Sequence, residues 1–203
     1  IESAWRDARI ARIYEGTNEI NRMLSIGMIL KKAMKGELDI MSAYQDIIEN
    51  KSQETIENSE ELNDEITLVE NMKKVFLLLL GKSFEKFGPE IDKNQQVLIS
   101  LSDLAIETYI SESTLKRTVK NIKRTSTIDQ EYQISMSKLY IYEAAKIIEK
   151  KSRDIVNSVI DDNNQENIYS SILKKLSYTK NPNIFELKTH VADKIIAENK
   201  YCF

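Results

Sequence analysis

Residues 63–87 read NDEITLVENMKKVFLLLLGKSFEKF, and Gly88–Pro89 follow directly. The apolar side chains recur at helical spacing from about Asn63 or Asp64 to Phe87. The run Phe76–Leu80 is apolar on every face, so we expect this helix to be buried on several sides. Gly88–Pro89 should end it, because glycine leaves the helical conformation readily and proline cannot continue a helix.

Four further stretches on the C-terminal side show the same helical spacing. They begin near Asp92, near Asp129, at Ile168 and after Asn181–Pro182–Asn183, and the tract Asp161–Asn164 should end the one that begins near Asp129. No stretch shows the alternating pattern of a strand. With 5 glycines and 2 prolines, the chain also has few residues that break helices. We therefore predict an all-α fold, an antiparallel helical bundle joined by short turns. The expected buried stripes are Val97, Leu101, Leu104, Ala105 and Tyr109 in the second helix, Met136, Tyr140, Ala144, Ile147, Ile148, Ile155 and Val159 in the third, and Ile184, Leu187, Val191 and Ile195 in the last.

Overall composition excludes several classes of protein. A net charge of −3 gives no sign of a nucleic-acid partner, and the longest apolar run, Val75–Leu80, is far shorter than a transmembrane segment. The single cysteine, Cys202, rules out an intrachain disulfide and fits a reducing, cytoplasmic setting. Because the chain starts at Ile1 and enters helical pattern at once, we expect it to be a fragment that lacks its true N-terminus.

A change in charge marks a boundary near residue 36. Residues 1–35 carry seven basic and four acidic side chains, whereas residues 37–70 carry eleven acidic side chains against Lys51 alone. Three regions follow: 1–35, an acidic short helix and linker at 36–62, and a helical bundle at 63–203. The short helix is indicated by Ile40, Met41, Tyr44, Ile47 and Ile48. Residues 53–62 are expected to be a mobile linker, and the acidic segment is not expected to anchor the chain to an anionic membrane.

One stretch suggests chemistry. Residues 6–20 read RDARIARIYEGTNEI. Gly16 permits a sharp turn with positive φ, Thr17 or Asn18 can cap a new helix, and Glu19 complements the positive end of that helix. The buried stripe of the new helix should then begin with Ile20, Met23 and Leu24. By spacing alone, this is a helix, a turn and a capped helix.

The same stretch resembles the active-site turn of acyl-CoA dehydrogenases, in which an aromatic–Glu–Gly–Thr sequence joins the last two helices of the catalytic C-terminal domain. The resemblance covers some fifteen positions, including both flanks of Tyr14–Thr17. Three further pieces, Gln96–Leu98, Asp103–Ile106 and Glu143–Ala145, resemble the extra helical domain of very-long-chain members. By this resemblance, residues 1–35 are the end of the catalytic domain and residues 63–203 are the appended bundle.

The resemblance implies an FAD-dependent enzyme of fatty acid beta-oxidation that converts a fatty acyl-CoA into its trans-2-enoyl form. Glu15 matches the base that removes the α proton, and Gly16 matches the position where backbone lies against substrate. Thr17, Asn18 and Glu19 match positions that contact FAD, and a helix N-terminus also favours phosphate. Electron-transfer flavoprotein is the implied electron acceptor and a homodimer the implied assembly. Most flavin and acyl contacts in the family precede this turn, so the chain alone should be inactive and without bound flavin.

Other features have plainer interpretations. The basic run Lys116, Arg117, Lys120, Lys123 and Arg124 could meet an acidic lipid or CoA phosphates, but a solvated helix face is the favoured interpretation. His190 is the only histidine, and no cluster at metal-ligand spacing accompanies it, so we expect no metal site. Cys202 has no apparent partner base. The alternative for the whole chain is a non-catalytic helical module for protein interaction or assembly.

Overall fold

The computed structural model describes residues 2–49, 61–124 and 129–200, without the side chain of residue 129. Within these ranges the chain forms eight α-helices, one 3-10 helix and no strand, which confirms the all-α prediction. The elements are α1 (Glu2–Ile10), α2 (Asn18–Met34), α3 (Ile40–Ile48), α4 (Asn63–Phe87), the 3-10 helix (Gly88–Lys93), α5 (Gln95–Arg124), α6 (Asp129–Val159), α7 (Asp162–Lys175) and α8 (Ile184–Glu198).

Helices α4, α5, α6 and α7 form the central bundle, and α4, α5 and α6 all contact one another. Two hydrogen bonds give the direction of α5 and α6. Thr118 and Ser137 share one at 2.6 Å, and the Tyr140 hydroxyl donates another, of 2.9 Å, to Glu107. Later residues of α6 thus meet earlier residues of α5, so the two helices are antiparallel, as predicted. Helix α8 packs on α6 at the outside of this bundle.

Helix α4 lies at the centre and has the predicted extent. Met72, Val75 and Leu79 are fully buried, and none of the residues from Phe76 to Leu80 is exposed. The helix ends where Gly88 takes a φ of 53°, and Pro89 lies in the first turn of the 3-10 helix that follows. The continuous apolar run therefore corresponds to a helix covered by neighbours on several sides, as its pattern indicated.

The N-terminal arm comprises α1, the turn after it and α2. Helix α1 has no buried residue, whereas α2 places Ile26 and Leu30 in the core and packs on α5. The predicted stripe of α2 was partly wrong, because Ile20 and Leu24 are exposed. The buried face instead runs from Met23, which is half-buried, through Ile26 to Leu30. A period of three to four residues fits either face, so the sequence alone did not select the one that meets α5.

Helix α3 packs on α4, and its one buried side chain is aromatic. Tyr44 is fully buried, and its hydroxyl donates a hydrogen bond of 2.7 Å to Glu85 of α4. A Cβ atom at Gly81 would lie 2.4 Å from the Tyr44 ring, so glycine at this position allows the ring to lie against the α4 backbone. This close approach sets the position of the predicted short helix.

Two predicted helix starts were wrong. Helix α5 begins at Gln95 rather than near Asp92, because Gly88–Lys93 forms the 3-10 helix and buries Ile91 against the core. Helix α7 begins at Asp162, six residues before Ile168, so the polar tract does not only end α6 but also starts α7. Acidic side chains in a first turn are favourable because they match the positive helix end.

Three predicted stripe residues were also wrong, and one of them, Ile195 of α8, is 41% exposed. The other two lie in α5 and α6. Tyr109 is 71% exposed, and its place on the buried face of α5 is taken by Thr108. In α6, Ile147 is exposed, and Ile141 and Ile148 are the fully buried isoleucines of that stretch. In both cases the apolar side chain lies one position from a residue on the true contact line, which a helical repeat does not resolve.

Most of the linker predicted at residues 53–62 lies outside the described residues, as does Cys202. In the described ranges, each helix is too short or too polar to cross a bilayer.

Candidate active-site turn

The stretch from α1 to α2 is a tight, hydrogen-bonded turn. The amide of Ile13 donates to the carbonyl of Ile10 at 3.0 Å, which continues the end of α1 as a turn. The amide of Asn18 then reaches back to the carbonyl of Arg12 at 3.1 Å and closes the loop around Ile13–Thr17. The candidate site residues 15 to 19 thus lie together at the start of α2.

The backbone of Glu15 adopts a left-handed conformation, which is unfavourable for any residue with a Cβ atom. Its φ is 55°, and Gly16 follows with a φ of 94°. The left-handed region costs a residue with a Cβ atom roughly 1–2 kcal/mol, whereas glycine adopts it freely. The sequence predicted positive φ at Gly16 but not at Glu15. Among the described residues, Asn199 is the other non-glycine residue with positive φ, and asparagine tolerates that conformation better than glutamate.

Gly16 is also required by its surroundings. A Cβ atom there would lie 2.8 Å from Oδ1 of Asn21. The Asn21 amide group donates a hydrogen bond of 2.9 Å to the Gly16 carbonyl and so holds the turn against the first turn of α2. A larger residue at position 16 would displace this contact as well as strain the backbone.

Thr17, one of the two predicted candidates, is the N-cap of α2. Its hydroxyl accepts a hydrogen bond of 3.3 Å from the amide of Ile20. The backbone N–H of Glu19 and the Thr17 hydroxyl together lower the pKa of the Glu19 carboxyl, so Glu19 is an anion at this helix end. The backbone N–H groups of Asn18 and Ile20 already donate hydrogen bonds within the turn. Fewer N–H groups at this helix end are therefore available to bind a phosphate than the sequence suggested.

The turn is open to solvent in this chain. Glu15, Tyr14 and Ile13 are exposed, and Gly16, Thr17 and Asn18 are half-buried. Four surface cavities of about 490 to 690 Å³ lie along the bundle and α8, and Glu15 lines none of these four. The described residues therefore set the backbone of the candidate site but do not enclose it.

The basic run of α5 lies beside acidic groups that its spacing did not reveal. Lys116, Lys120, Lys123 and Arg124 border a groove of about 690 Å³ between α4 and α5. Glu112 contacts Lys116 at 2.6 Å and Lys73 at 2.8 Å, and Lys73 also contacts Glu70 at 2.6 Å. Part of the positive charge is thus balanced by acids of both helices, which fits a solvated face.

His190 is half-buried and its ring stacks on Tyr132, with centroids 4.3 Å apart. No group of three or more potential ligands that could hold a metal ion occurs in the ranges that the structure describes.

Sequence reasoning missed a charged cluster that joins the arm to the bundle. Asp103 of α5 accepts from Arg22 of α2 at 2.6 Å and from Lys151 of α6 at 2.9 Å. These residues are 81 and 48 positions from Asp103, so no local pattern connects them. The only sequence feature that pointed to this cluster was Asp103 itself, an acidic residue among the apolar residues of the α5 stripe.

The helical bundle matches a known protein family. The profile described as "Acyl-CoA dehydrogenase, C-terminal domain" matches residues 71–175, which is more than half of the chain and runs from α4 through α7. The chain therefore belongs to the acyl-CoA dehydrogenase C-terminal domain family. The Glu15 turn lies outside the matched residues.

Two relatives extend the similarity over the whole chain. A probable acyl-CoA dehydrogenase of Bacillus subtilis (strain 168) is 31% identical over 203 residues, which is 99% of this chain and 34% of that protein. The crystal structure of an acyl-CoA dehydrogenase complexed with FAD from Bacillus anthracis is 33% identical, with a TM-score of 0.90 over all of this chain and 35% of that one. The chain thus spans about a third of the length of these relatives.

Proposed function

We propose that this chain is the C-terminal part of an FAD-dependent acyl-CoA dehydrogenase of the very-long-chain type, which oxidises long-chain fatty acyl-CoA to trans-2-enoyl-CoA in beta-oxidation. Glu15 is the base that takes the α proton. The observation that carries the proposal is the backbone of Glu15, a glutamate held at a φ of 55° where glycine or asparagine would be less strained. Strain of this kind is kept where the surrounding structure and a function require it.

Each residue of the turn has its own proposed role. The Glu15 carboxylate is proposed to accept the α proton as a general base. The Glu15 backbone N–H is a candidate donor to the thioester oxygen, which acidifies the α proton. Gly16, without a side chain, leaves room for substrate beside the backbone. The bound flavin supplies the hydride acceptor.

The donor set at the start of α2 fits part of FAD. The Thr17 hydroxyl and the Asn18 side chain are half-buried polar groups that can hold neutral hydroxyl and amide groups of the cofactor. The anionic Glu19 disfavours a second anion at the same helix end. We therefore propose that Thr17 and Asn18 contact the flavin ring or the ribose of FAD rather than its phosphates.

The exposed apolar face of the arm supports a longer protein around this chain. Trp5 is 61% exposed and Ile13 64%, and Tyr14, which precedes Glu15 in the chain, is also exposed. Exposed apolar clusters of this kind mark contact surfaces. In the proposed enzyme, the rest of the catalytic domain covers this face, completes the flavin and acyl sites, and excludes water from Glu15.

Further parts of the proposal rest on the family resemblance alone. These are electron-transfer flavoprotein as the acceptor and a homodimeric assembly. A cytoplasmic location is proposed from the single cysteine, Cys202. Residues 1–35 are proposed as the end of the catalytic domain, residues 36–62 as a connection and residues 63–203 as an appended bundle.

The experiment compares this chain with a longer protein that contains the upstream domains of its relatives. The 203-residue chain should be strongly helical and colourless, whereas the longer protein should carry about one flavin per chain. Long-chain acyl-CoA should bleach that flavin faster than short-chain acyl-CoA. A stoichiometric flavin on the 203-residue chain, or no bleaching by any acyl-CoA, would contradict the proposal.

One observation favours a non-catalytic module as the second candidate. The family match covers most of the bundle and omits the turn, and most of the buried core residues belong to the bundle. A longer protein that binds no flavin but captures a protein partner through the bundle would support this alternative.

A further inference from the structure

The charged cluster around Asp103 uses both oxygens of one carboxylate. Oδ1 accepts from Nε of Arg22 at 2.6 Å, and Oδ2 accepts from Nζ of Lys151 at 2.9 Å. The Asp103 side chain is 18% exposed, and those of Arg22 and Lys151 are each 31% exposed. One carboxylate thus joins three helices, namely α2, α5 and α6, in a site partly shielded from solvent.

Arg22 extends this cluster to the candidate active-site turn. While its Nε is held by Asp103, its Nη1 donates to the carbonyl of Asn18 at 3.3 Å. Asn18 is the first residue of α2 and follows the cap Thr17 directly, and its own amide closes the turn onto Arg12. A continuous series of polar contacts therefore runs from Lys151 and Asp103 through Arg22 to the turn that carries Glu15.

The protonation state of Asp103 agrees with this role. Burial alone would raise the pKa of its carboxyl, but the hydrogen bonds from Arg22 and Lys151 outweigh burial and lower the pKa below its ordinary value of 3.8. Asp103 is thus an anion at neutral pH, and charge-assisted hydrogen bonds are stronger and more directional than neutral ones.

Apolar packing alone would leave the turn loosely held. The buried residues of α2, Ile26 and Leu30, lie two to three turns after Asn18, and Ile20 and Leu24 are exposed. Near the start of α2, Arg22 connects the helix to the bundle by its hydrogen bond to Asp103, beside the half-buried Met23.

We propose that Asp103, held by Lys151, is a positioning residue that acts through Arg22 to fix the start of α2 and thereby the orientation of the Glu15 turn. The proposal rests on the proposed function, because its consequence for turnover requires Glu15 to act as the base. Under this proposal the bundle contributes to catalysis as well as to folding, because α5 and α6 hold the last active-site turn in place.

Two measurements on three variants and one matched control test this proposal. Asp103→Asn keeps the size of the side chain and removes its charge, and Asp103→Glu restores the charge. Glu112→Gln is the control, since Glu112 also lies on α5 and forms an ion pair of 2.8 Å with α4, but contacts no residue of α2 through that pair. Arg22→Lys keeps the positive charge and removes the guanidinium that bridges Asp103 and Asn18.

The first measurement is hydrogen exchange in the 203-residue chain and needs no cofactor. In Asp103→Asn and Arg22→Lys the amide of Asn21, bonded to the Thr17 carbonyl at 2.9 Å, should exchange about tenfold faster, in line with the loss of a hydrogen bond to a charged group. Amides in the middle of α4 should be unchanged, and Glu112→Gln should leave Asn21 unchanged. Equal acceleration in Glu112→Gln, or none in Asp103→Asn, would overturn the proposal.

The second measurement is turnover of the longer, flavin-loaded protein. Asp103→Asn should lower kcat about ten- to hundredfold with little change in KM, because a displaced base slows the chemical step more than binding. Asp103→Glu should restore most of kcat, and Glu112→Gln should retain it. If Asn21 exchanges faster while kcat is unchanged, Asp103 has no positioning role. Failure of Glu15 as the base is a separate outcome, detected by Glu15→Gln retaining activity.

Discussion

Most large apolar side chains of the N-terminal arm are exposed, whereas most of those in the bundle are buried. Trp5, Ile13 and Leu24 of the arm are all more than half exposed, whereas Leu79 and Leu104 of the bundle have no exposed surface. The arm also contains the strained backbone of Glu15, and the bundle contains regular helices. The difference shows a division of tasks, in which the bundle stabilises the chain and the arm holds a turn whose partners are proposed to lie in the rest of the enzyme.

The same substitution in each region should give the largest contrast in stability. Leu79→Ala removes a fully buried side chain of α4 and should lower the free energy of unfolding by about 2–5 kcal/mol. Leu24→Ala, on the exposed face of α2, should change it by no more than about 0.5 kcal/mol in this chain. Urea titration followed by circular dichroism measures both, and similar losses would mean that the arm is packed as tightly as the bundle.

Two glycines within helices sharpen the comparison. Gly81→Ala would place a Cβ atom 2.4 Å from the Tyr44 ring and should destabilise the chain by about 1–3 kcal/mol. Gly27→Ala, in α2, has no atom within 4 Å of the added Cβ and should stabilise the chain by about 0.5–1 kcal/mol. Thermal denaturation gives the sign of each change. A Gly81→Ala variant as stable as Gly27→Ala would show that α3 does not dock on α4 through Tyr44.

A smaller effect should depend on pH. Glu65 is 3% exposed, and burial raises the pKa of its carboxyl above the ordinary 4.5, although Lys138 opposes the shift. The folded state then holds this proton more tightly than the unfolded state, so stability decreases as pH rises from about 4.5 through the raised pKa. Glu65→Gln removes that loss and should stabilise the chain at pH 7, with a smaller gain at pH 4.

The control for this prediction is Glu61→Gln, since Glu61 is exposed one turn earlier in the chain. Thermal midpoints of both variants at pH 4 and pH 7 are sufficient. A Glu65→Gln variant that is less stable than the original chain at pH 7 would mean that the electrostatic attraction of Lys138 outweighs burial.

The sequence predicted the features that local chemistry decides. The extent of α4, the cap at Thr17 and the cap at Asn183 depend on residues within a few positions of each other, and all three were confirmed. The Asn183 side chain accepts from the Glu186 amide at 3.4 Å, as its place before the last helix indicated.

Features that depend on distant contacts were not predictable. The face of α2 that meets α5, the burial of Thr108 in place of Tyr109 and the Asp103 cluster all require knowledge of neighbouring helices. Helical periodicity defines a stripe only to within one residue, and ion pairs between helices leave no local pattern. The positive φ of Glu15 was missed because the neighbouring glycine already explained the turn.

The role of Glu15 is tested most directly by Glu15→Gln in the longer, flavin-loaded protein. The change keeps the size of the side chain and removes the basic carboxylate. Mixed rapidly with a long-chain acyl-CoA, the variant should still bind flavin and substrate but bleach the flavin several orders of magnitude more slowly, beyond the roughly 10²–10⁴-fold usual for general base assistance. Glu37→Gln, an exposed change beyond the end of α2, should bleach at the original rate. Bleaching by Glu15→Gln at a rate close to the original would contradict the account and place the base elsewhere.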